Sequence, residues 1–412
     1  LREATKITAE ETEMLTAKHL QRYADVLVWG LKTARAERFR KGDIVLVRYD
    51  PAALPLAEVV YAKLLEMGLN PVQRVALTPS MEHDFYAISS TKQLTFRTPG
   101  DEELFGAVHG SISLRAPDSI THLSDVRPEK IGRAAVARKY INDILDRREA
   151  QGAFGWTLCV YPTAELARHA GLTLEQYADQ ILRACSLNKA DPVGWWQSIY
   201  RDAQEIKRWL NGMKVSRYRV ESEHTDLTVT PGLQRKWVGI SGHNIPSFEL
   251  FLSPDWRGTE GHYYADQPTY RSGNYVQGIR LQFRAGSVVK AAAEQGEDFL
   301  VKQIAMDRGA RKLGEFSLTD KRFSRITSFM ANTLYDENYG GANGNCHVAL
   351  GASYSDTYDG DASGLTPDRK KELGFNDSAL HWDLVNTERK RVVAHVSGGR
   401  SVTIYEDGVF TC

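Results

Sequence analysis

The sequence predicts an α/β N-terminal domain built on a parallel sheet, followed by a strand-rich α+β C-terminal domain. Three observations lead there. The chain has 412 residues, and roughly 100–200 residues per domain gives two domains, with three as the upper bound. Its first half alternates apolar strand-like runs with helical stretches across short loops, the signature of a parallel sheet with crossover helices. After Gly212 that rhythm gives way to short alternating segments, so the boundary is set between residues 1–212 and 213–412.

In chain order, residues 8–40 read as a charged amphipathic helix with Leu15, His19, Leu20 and Tyr23 on one stripe. DIVLVRYD (43–50) reads as a buried strand, LAEVVYAKLLEMGL (56–69) as a helix ending at Gly68, and VQRVAL (72–77) as the next strand. The pattern resumes at WTLCVYP (156–162), with helices from Ala164, over 174–188 and over 197–212. Beyond Gly212, YRVESE, DLTVTP and KWVGIS read as strands. A hairpin follows, turning at Arg284-Ala285-Gly286. Helices return at 296–308 and 367–373, the latter framed by Thr366 as N-cap, Pro367 in the first turn and Gly374 past its end. YGGANGN (339–345) is a loop, and there are no internal repeats.

Lys plus Arg equals Asp plus Glu, giving a formal net charge of zero. That balance argues against nucleic acid or an anionic membrane as the main partner. No run of 18 apolar residues occurs, so no membrane span is expected. The opening LREATKIT lacks the apolar core of a signal peptide and an initiator Met. Cys159, Cys185, Cys346 and Cys412 are widely spaced with no CxxC pair, too few for a disulfide framework. A reducing cytoplasm is the expected setting.

The candidate chemistry lies in the second half. In ALHWDLV, His381 and Asp383 stand two apart, so in a strand both project to one face, with Trp382 and Leu384 on the other. An imidazole beside a carboxylate suits zinc, manganese, cobalt or iron, and equally suits a plain hydrogen-bonded pair on a wet face. His347, in GNCHVALGASY, taken alone is an ordinary structural histidine. Glu249 in NIPSFELFLSP and Glu315 in KLGEFSL are single acids within apolar strand-like runs. Buried carboxylates call for a compensating cation, either a basic side chain or a metal. Together these five residues can hold two divalent ions with a shared water. GxSxG, Walker A, GxGxxG and HExxH motifs are all absent.

These blocks resemble the aminopeptidase T / aminopeptidase S family, the thermophilic-type metalloproteases. NIPSFELFLSP resembles the family segment bearing its first metal-binding glutamate, at Glu249. GNYVQGIRLQFRAGSVV resembles the hairpin that follows, and DRGARKLGEFSL carries the second glutamate, Glu315. HVALGASY carries His347 and, seven residues on, Tyr354; HWDL carries His381 and Asp383. The resemblance covers the second half and extends in outline to the first. It implies two divalent ions (zinc, cobalt or manganese) on Glu249, Glu315, His347, His381 and Asp383, with Tyr354 as a catalytic hydrogen-bond donor. It further implies a homodimer with an enclosed cavity that removes N-terminal residues from short peptides with a free N-terminus. One departure is Phe248, where the family usually has Gly; beside a ligand it is a candidate for narrowing the substrate pocket. The alternative within enzymes is a mononuclear-iron ring-cleaving dioxygenase of related fold using His347, His381 and Asp383.

Overall fold

A computed structural model describes residues 15–361 and 364–412. The N-terminal half is built on a parallel sheet. α1 (Ala17–Ala34) starts where the Thr16 hydroxyl accepts the His19 amide, and it buries Tyr23, Val26, Leu27 and Leu31 against that sheet. Residues 8–14 of the helix expected over 8–40 lie outside the described residues. β1 (Ile44–Tyr49) is buried on both faces through Val45, Leu46 and Val47, as a central parallel strand requires. α2 (Leu54–Glu66) then crosses over to β2 (Asn70–Val75), and β3 (Gly110–Arg115) and β4 (Gly155–Val160) complete the run. The sheet order is β2-β1-β3-β4 with the short strand Asn244–Ile245 at the far edge, all parallel.

That fifth strand comes from beyond residue 212. Reciprocally, the helix Pro192–Asn211 buries Ile199, Ala203, Ile206 and Leu210 in the core of the antiparallel half. Elements on either side of residue 212 therefore exchange partners. This helix starts five residues before the expected 197, because Asp191 caps it by accepting the Gly194 amide and Pro192 opens its first turn. The helices expected over 174–188 and 296–308 are shorter, Leu174–Ala184 and Glu297–Gln303.

The second half holds an eight-stranded and a four-stranded antiparallel sheet. The expected hairpin pairs Ile279–Arg284 with Ser287–Ala292, and Ala285 and Gly286 both turn with positive φ (47° and 76°). KWVGIS is not a regular strand: only Val238 bridges to Phe251. Its Gly239 has φ +128°, and a Cβ there would meet the Glu249 carbonyl oxygen at 2.2 Å. Glycine is what lets this segment cover the edge of the site-bearing sheet.

That sheet runs His381–Asn386, Asn345–Gly351, Leu313–Thr319, Glu249–Leu252. Its even-numbered residues Leu250, Leu252, Phe316, Leu318, Val348, Leu350, Trp382 and Leu384 join one apolar core. Period-two alternation then sends the odd-numbered residues to the opposite face, which includes every strand residue singled out as a metal ligand. Among the described residues, no helix is long and apolar enough to cross a membrane.

Candidate metal centre

The odd face of the four-stranded sheet gathers Glu249, Glu315, His347, His381 and Asp383. Register explains the closeness: Ser317 lies opposite His347, Ala349 opposite Asp383 and Gly351 opposite His381. His347 Nε2 stands 3.1 Å from a Glu249 oxygen and 3.1 Å from a Glu315 oxygen. His381 Nε2 lies 3.2 Å from Asp383 and 3.6 Å from the other Glu315 oxygen. Two triplets result, Glu249–Glu315–His347 and Glu315–His381–Asp383, each with ligand atoms within 4.8 Å of one another. Glu315 belongs to both.

The cluster forms part of a cavity of about 840 Å³ that both halves of the chain line. Residues from the parallel-sheet side include Asp50, Arg115, His122, Asp146 and Glu149; Tyr270 and Tyr354 contribute from the other side. The Tyr354 ring packs 4.6 Å from the His381 ring and 5.9 Å from Phe251.

A fourth carboxylate, Glu337, also lines the cavity, and the sequence reading passed over it. It follows the helical turn Thr333–Asp336, and Asn244 and Asn338 donate to it at 3.2 and 3.4 Å. Burial, followed by the charges of Glu249, Asp383 and Glu315, pushes its pKa well above the ordinary carboxylate range. Its only sequence signal was an acid beside Asp336 just ahead of the Gly-rich loop, a pattern that surface turns share.

The donor set fits divalent cations. Burial chiefly, offset in part by His347, raises the Glu249 carboxyl to about 8, with Glu315 and Asp383 adding to the rise. Burial works against charge on the imidazoles, yet the surrounding carboxylates raise both His347 and His381 to about 9. Burial opposes ionisation of Asp383 as well, but His381, His347 and Arg271 hold it down to about 2. Three buried carboxylates and the partly buried Asp383 thus crowd round two imidazoles, an arrangement that a bound cation relieves. His381 Nδ1 is fixed 2.9 Å from the Ala352 carbonyl, which turns Nε2 toward Asp383 and Glu315. This backbone anchor on the second ring nitrogen is the usual support of a ligating histidine. His347 Nδ1 has no such partner among the described residues.

Phe248 does not narrow the cavity. As neighbour of Glu249 it points to the other side, fully buried and stacked on Trp196 with ring centroids 5.4 Å apart. It belongs to the core around α1.

Oxygen and nitrogen donors gathered in the wall of a cavity define the class as a protein with a candidate metal centre. The model of the thermophilic metalloprotease family (M29) matches residues 16–410, and the chain belongs to that family of peptide-bond hydrolases. Aminopeptidase PepS of Streptococcus thermophilus is 30% identical over 61% of this chain, a match spanning 62% of that relative, somewhat under two thirds. Aminopeptidase 2 of Geobacillus stearothermophilus is 26% identical over 95% of this chain and 97% of its own length. The solved structure of wild-type AmpT from Thermus thermophilus superposes with a TM-score of 0.75 at 22% identity, covering 96% of this chain and 100% of that one. This shows a shared fold. The ring-cleaving dioxygenase alternative finds no support in these matches.

Proposed function

We propose that this chain is a metal-dependent aminopeptidase that removes N-terminal residues from short peptides. The reading rests on one observation above all: two ligand triplets, one buried and one partly buried, share Glu315 in the wall of the large cavity. In this proposal Glu249, Glu315, His347, His381 and Asp383 hold two divalent ions (zinc, cobalt or manganese), with Glu337 as a further carboxylate at the same place. Two such ions, when bound, acidify a shared water and polarise the scissile carbonyl. The chain's own residues do the rest. Buried carboxylates at the end of the cavity attract a free peptide ammonium, which favours cleavage at the N-terminus. Tyr354 stays protonated near neutral pH, as a phenol with an ordinary pKa of about 10 does. It therefore donates a hydrogen bond to the oxygen that gains charge. Ser317 donates to Glu249 at 2.9 Å and holds that carboxylate in place.

The assembly we propose is a homodimer. Supporting it, Val72 and Val75 are exposed on the edge strand β2, and Leu65, Leu77, Met81 and Ile88 are exposed in the segments that flank it in the chain. Three buried, unpaired thiols (Cys159, Cys185 and Cys346) support a reducing, cytoplasmic setting.

The test is metal analysis with peptide digestion. Two ions per chain, loss of N-terminal trimming on chelation and recovery with zinc, cobalt or manganese are expected. Full activity after exhaustive metal removal, or cutting at internal bonds of intact casein, overturns the proposal.

A further inference from the structure

The parallel sheet carries a cationic end that the metal chemistry does not use. Arg48 of β1 and Arg74 of β2 lie opposite each other in register. Arg48 also pairs in register with Ser113 of β3, and Arg115 stands two residues beyond Ser113. Residues in register share a face, and so do residues two apart. Three guanidiniums therefore converge on one face near the carboxyl ends of β2, β1 and β3. In the order β2-β1-β3-β4 the chain reverses direction between β1 and β3, and open parallel sheets bind ligands in the crevice outside that point. A hollow of about 180 Å³ lies there, lined by Arg48, Arg74, Arg115, Asp50 and Ser113 among others. Asp50, Ala76 and Arg115 also line the large cavity, so the hollow adjoins it.

The charges in the hollow are not balanced. Arg74 is 3.1 Å from Asp101, and Arg115 is 3.7 Å from Asp50. The other oxygen of Asp50 accepts the Ala116 amide at 2.7 Å. Arg48 has no hydrogen bond or ion pair among the described residues. It is exposed to solvent, with Arg115, Arg74 and Asp50 as its charged neighbours. A guanidinium offers a planar fork of donors that matches a carboxylate.

We propose that this hollow binds a substrate carboxylate remote from the scissile bond, anchoring the far end of a short peptide. The inference rests on the aminopeptidase reading above. A peptide held at its ammonium by the metal-site carboxylates and at its carboxylate by Arg48 spans the cavity. Such two-ended recognition selects for short chains.

The experiment compares peptides of two to six residues as free acids and as carboxamides, with wild-type protein and with Arg48→Gln and Arg115→Gln. KM should favour the acid by about tenfold at one or two lengths, the lower range for a charge-assisted hydrogen bond. Arg48→Gln should erase that preference and leave kcat unchanged. Calorimetry with analogues whose first amide is replaced by a methyleneamine reads binding without turnover. Acid-selective, Arg48-dependent binding without hydrolysis of any peptide retains the anchor and rejects the aminopeptidase reading. A carboxamide with Glu near its far end that binds as tightly as the free acid assigns the carboxylate to a side chain. Equal binding of acids and amides at every length, or a preference that survives both substitutions, overturns the proposal.

Discussion

Tyr354→Phe separates transition-state chemistry from architecture at this site. The substitution keeps the ring, which packs 4.6 Å from His381 and 5.9 Å from Phe251. It also keeps the backbone amide that donates to the Ser253 hydroxyl at 2.8 Å. What it removes is a phenolic hydroxyl with no hydrogen-bond partner among the described residues. The residue is 37% exposed, so that hydroxyl has an open side toward the cavity. Deleting a hydroxyl that bonds nothing in the resting protein should alter folding stability by less than about 1 kcal/mol. If the same hydroxyl donates to the developing oxyanion, its loss should lower kcat by about 10²–10³, or roughly 2.7–4 kcal/mol. Steady-state kinetics on an amino-acyl reporter, with elemental analysis and thermal melting on the same preparation, gives all three numbers. The expected pattern is a large fall in kcat with KM, metal content and Tm nearly constant, as for an interaction made in the transition state. A wild-type kcat takes Tyr354 out of the mechanism. Loss of metal makes it part of the ion's support, and the oxyanion argument fails.

Asp383→Ala should strip metal and rate together, and more severely than the 10–100-fold typical of a residue that only orients a ligand; two tightly held ions in that variant contradict the ligand assignment. Phe248→Ala should cost about 3–5 kcal/mol of stability, since it empties a fully buried site against Trp196, while leaving the peptide preference as it was. A changed preference without destabilisation returns Phe248 to the cavity wall. Lys390, 3% exposed, gives a pH signature from outside the ligand set. Burial lowers its pKa to about 8, against the pull of Cys346, Asp266 and Glu388. Between that value and about 10.4 the unfolded chain holds a proton that the folded chain has released, so stability should rise with pH across the window. The cost that remains below pH 8 is about 3 kcal/mol at most, and Lys390→Met should flatten the slope in urea denaturation curves. An unchanged slope locates the titration elsewhere.

Much of the fold was legible because burial on both faces leaves continuous apolar runs. β1 and β4 announced themselves in this way, and so did the hairpin through its turn residues. The region from 79 to 150 was silent for the opposite reason. The helix Pro128–Ala150 buries only Ile131, Gly132 and Ala134, so no apolar stripe marks it. β3 reads Gly-Ser-Ile-Ser-Leu-Arg, where small polar residues fill positions that other strands give to Val or Leu. Segments such as Lys236–Ser241 have strand-like composition, yet cover a sheet edge through a single bridge. Only the neighbouring Glu249–Leu252 strand decides that outcome.

The site was legible to the extent that it lies in strands. An acid inside an apolar strand is anomalous in itself, because burial penalises its charge. Glu249 and Glu315 could therefore be picked out one at a time, and the two-residue spacing of His381 and Asp383 assigned them one face. Chain order did not disclose which strand would be the neighbour of which. The sheet order sets Leu313–Thr319 between Glu249–Leu252 and Asn345–Gly351, and that central place puts Glu315 within reach of both imidazoles. Glu337 obeys a different rule. It lies past a short helical turn, where an acid is ordinary, and becomes anomalous only when residues 326–339 fold back over the strand face and bury it. Its burial is a tertiary fact with no periodicity to betray it. The carboxylate hardest to find in the sequence is one whose pKa the fold pushes well above the ordinary range, because burial and the charges of Glu249, Asp383 and Glu315, which come from other segments of the chain, do most of the raising.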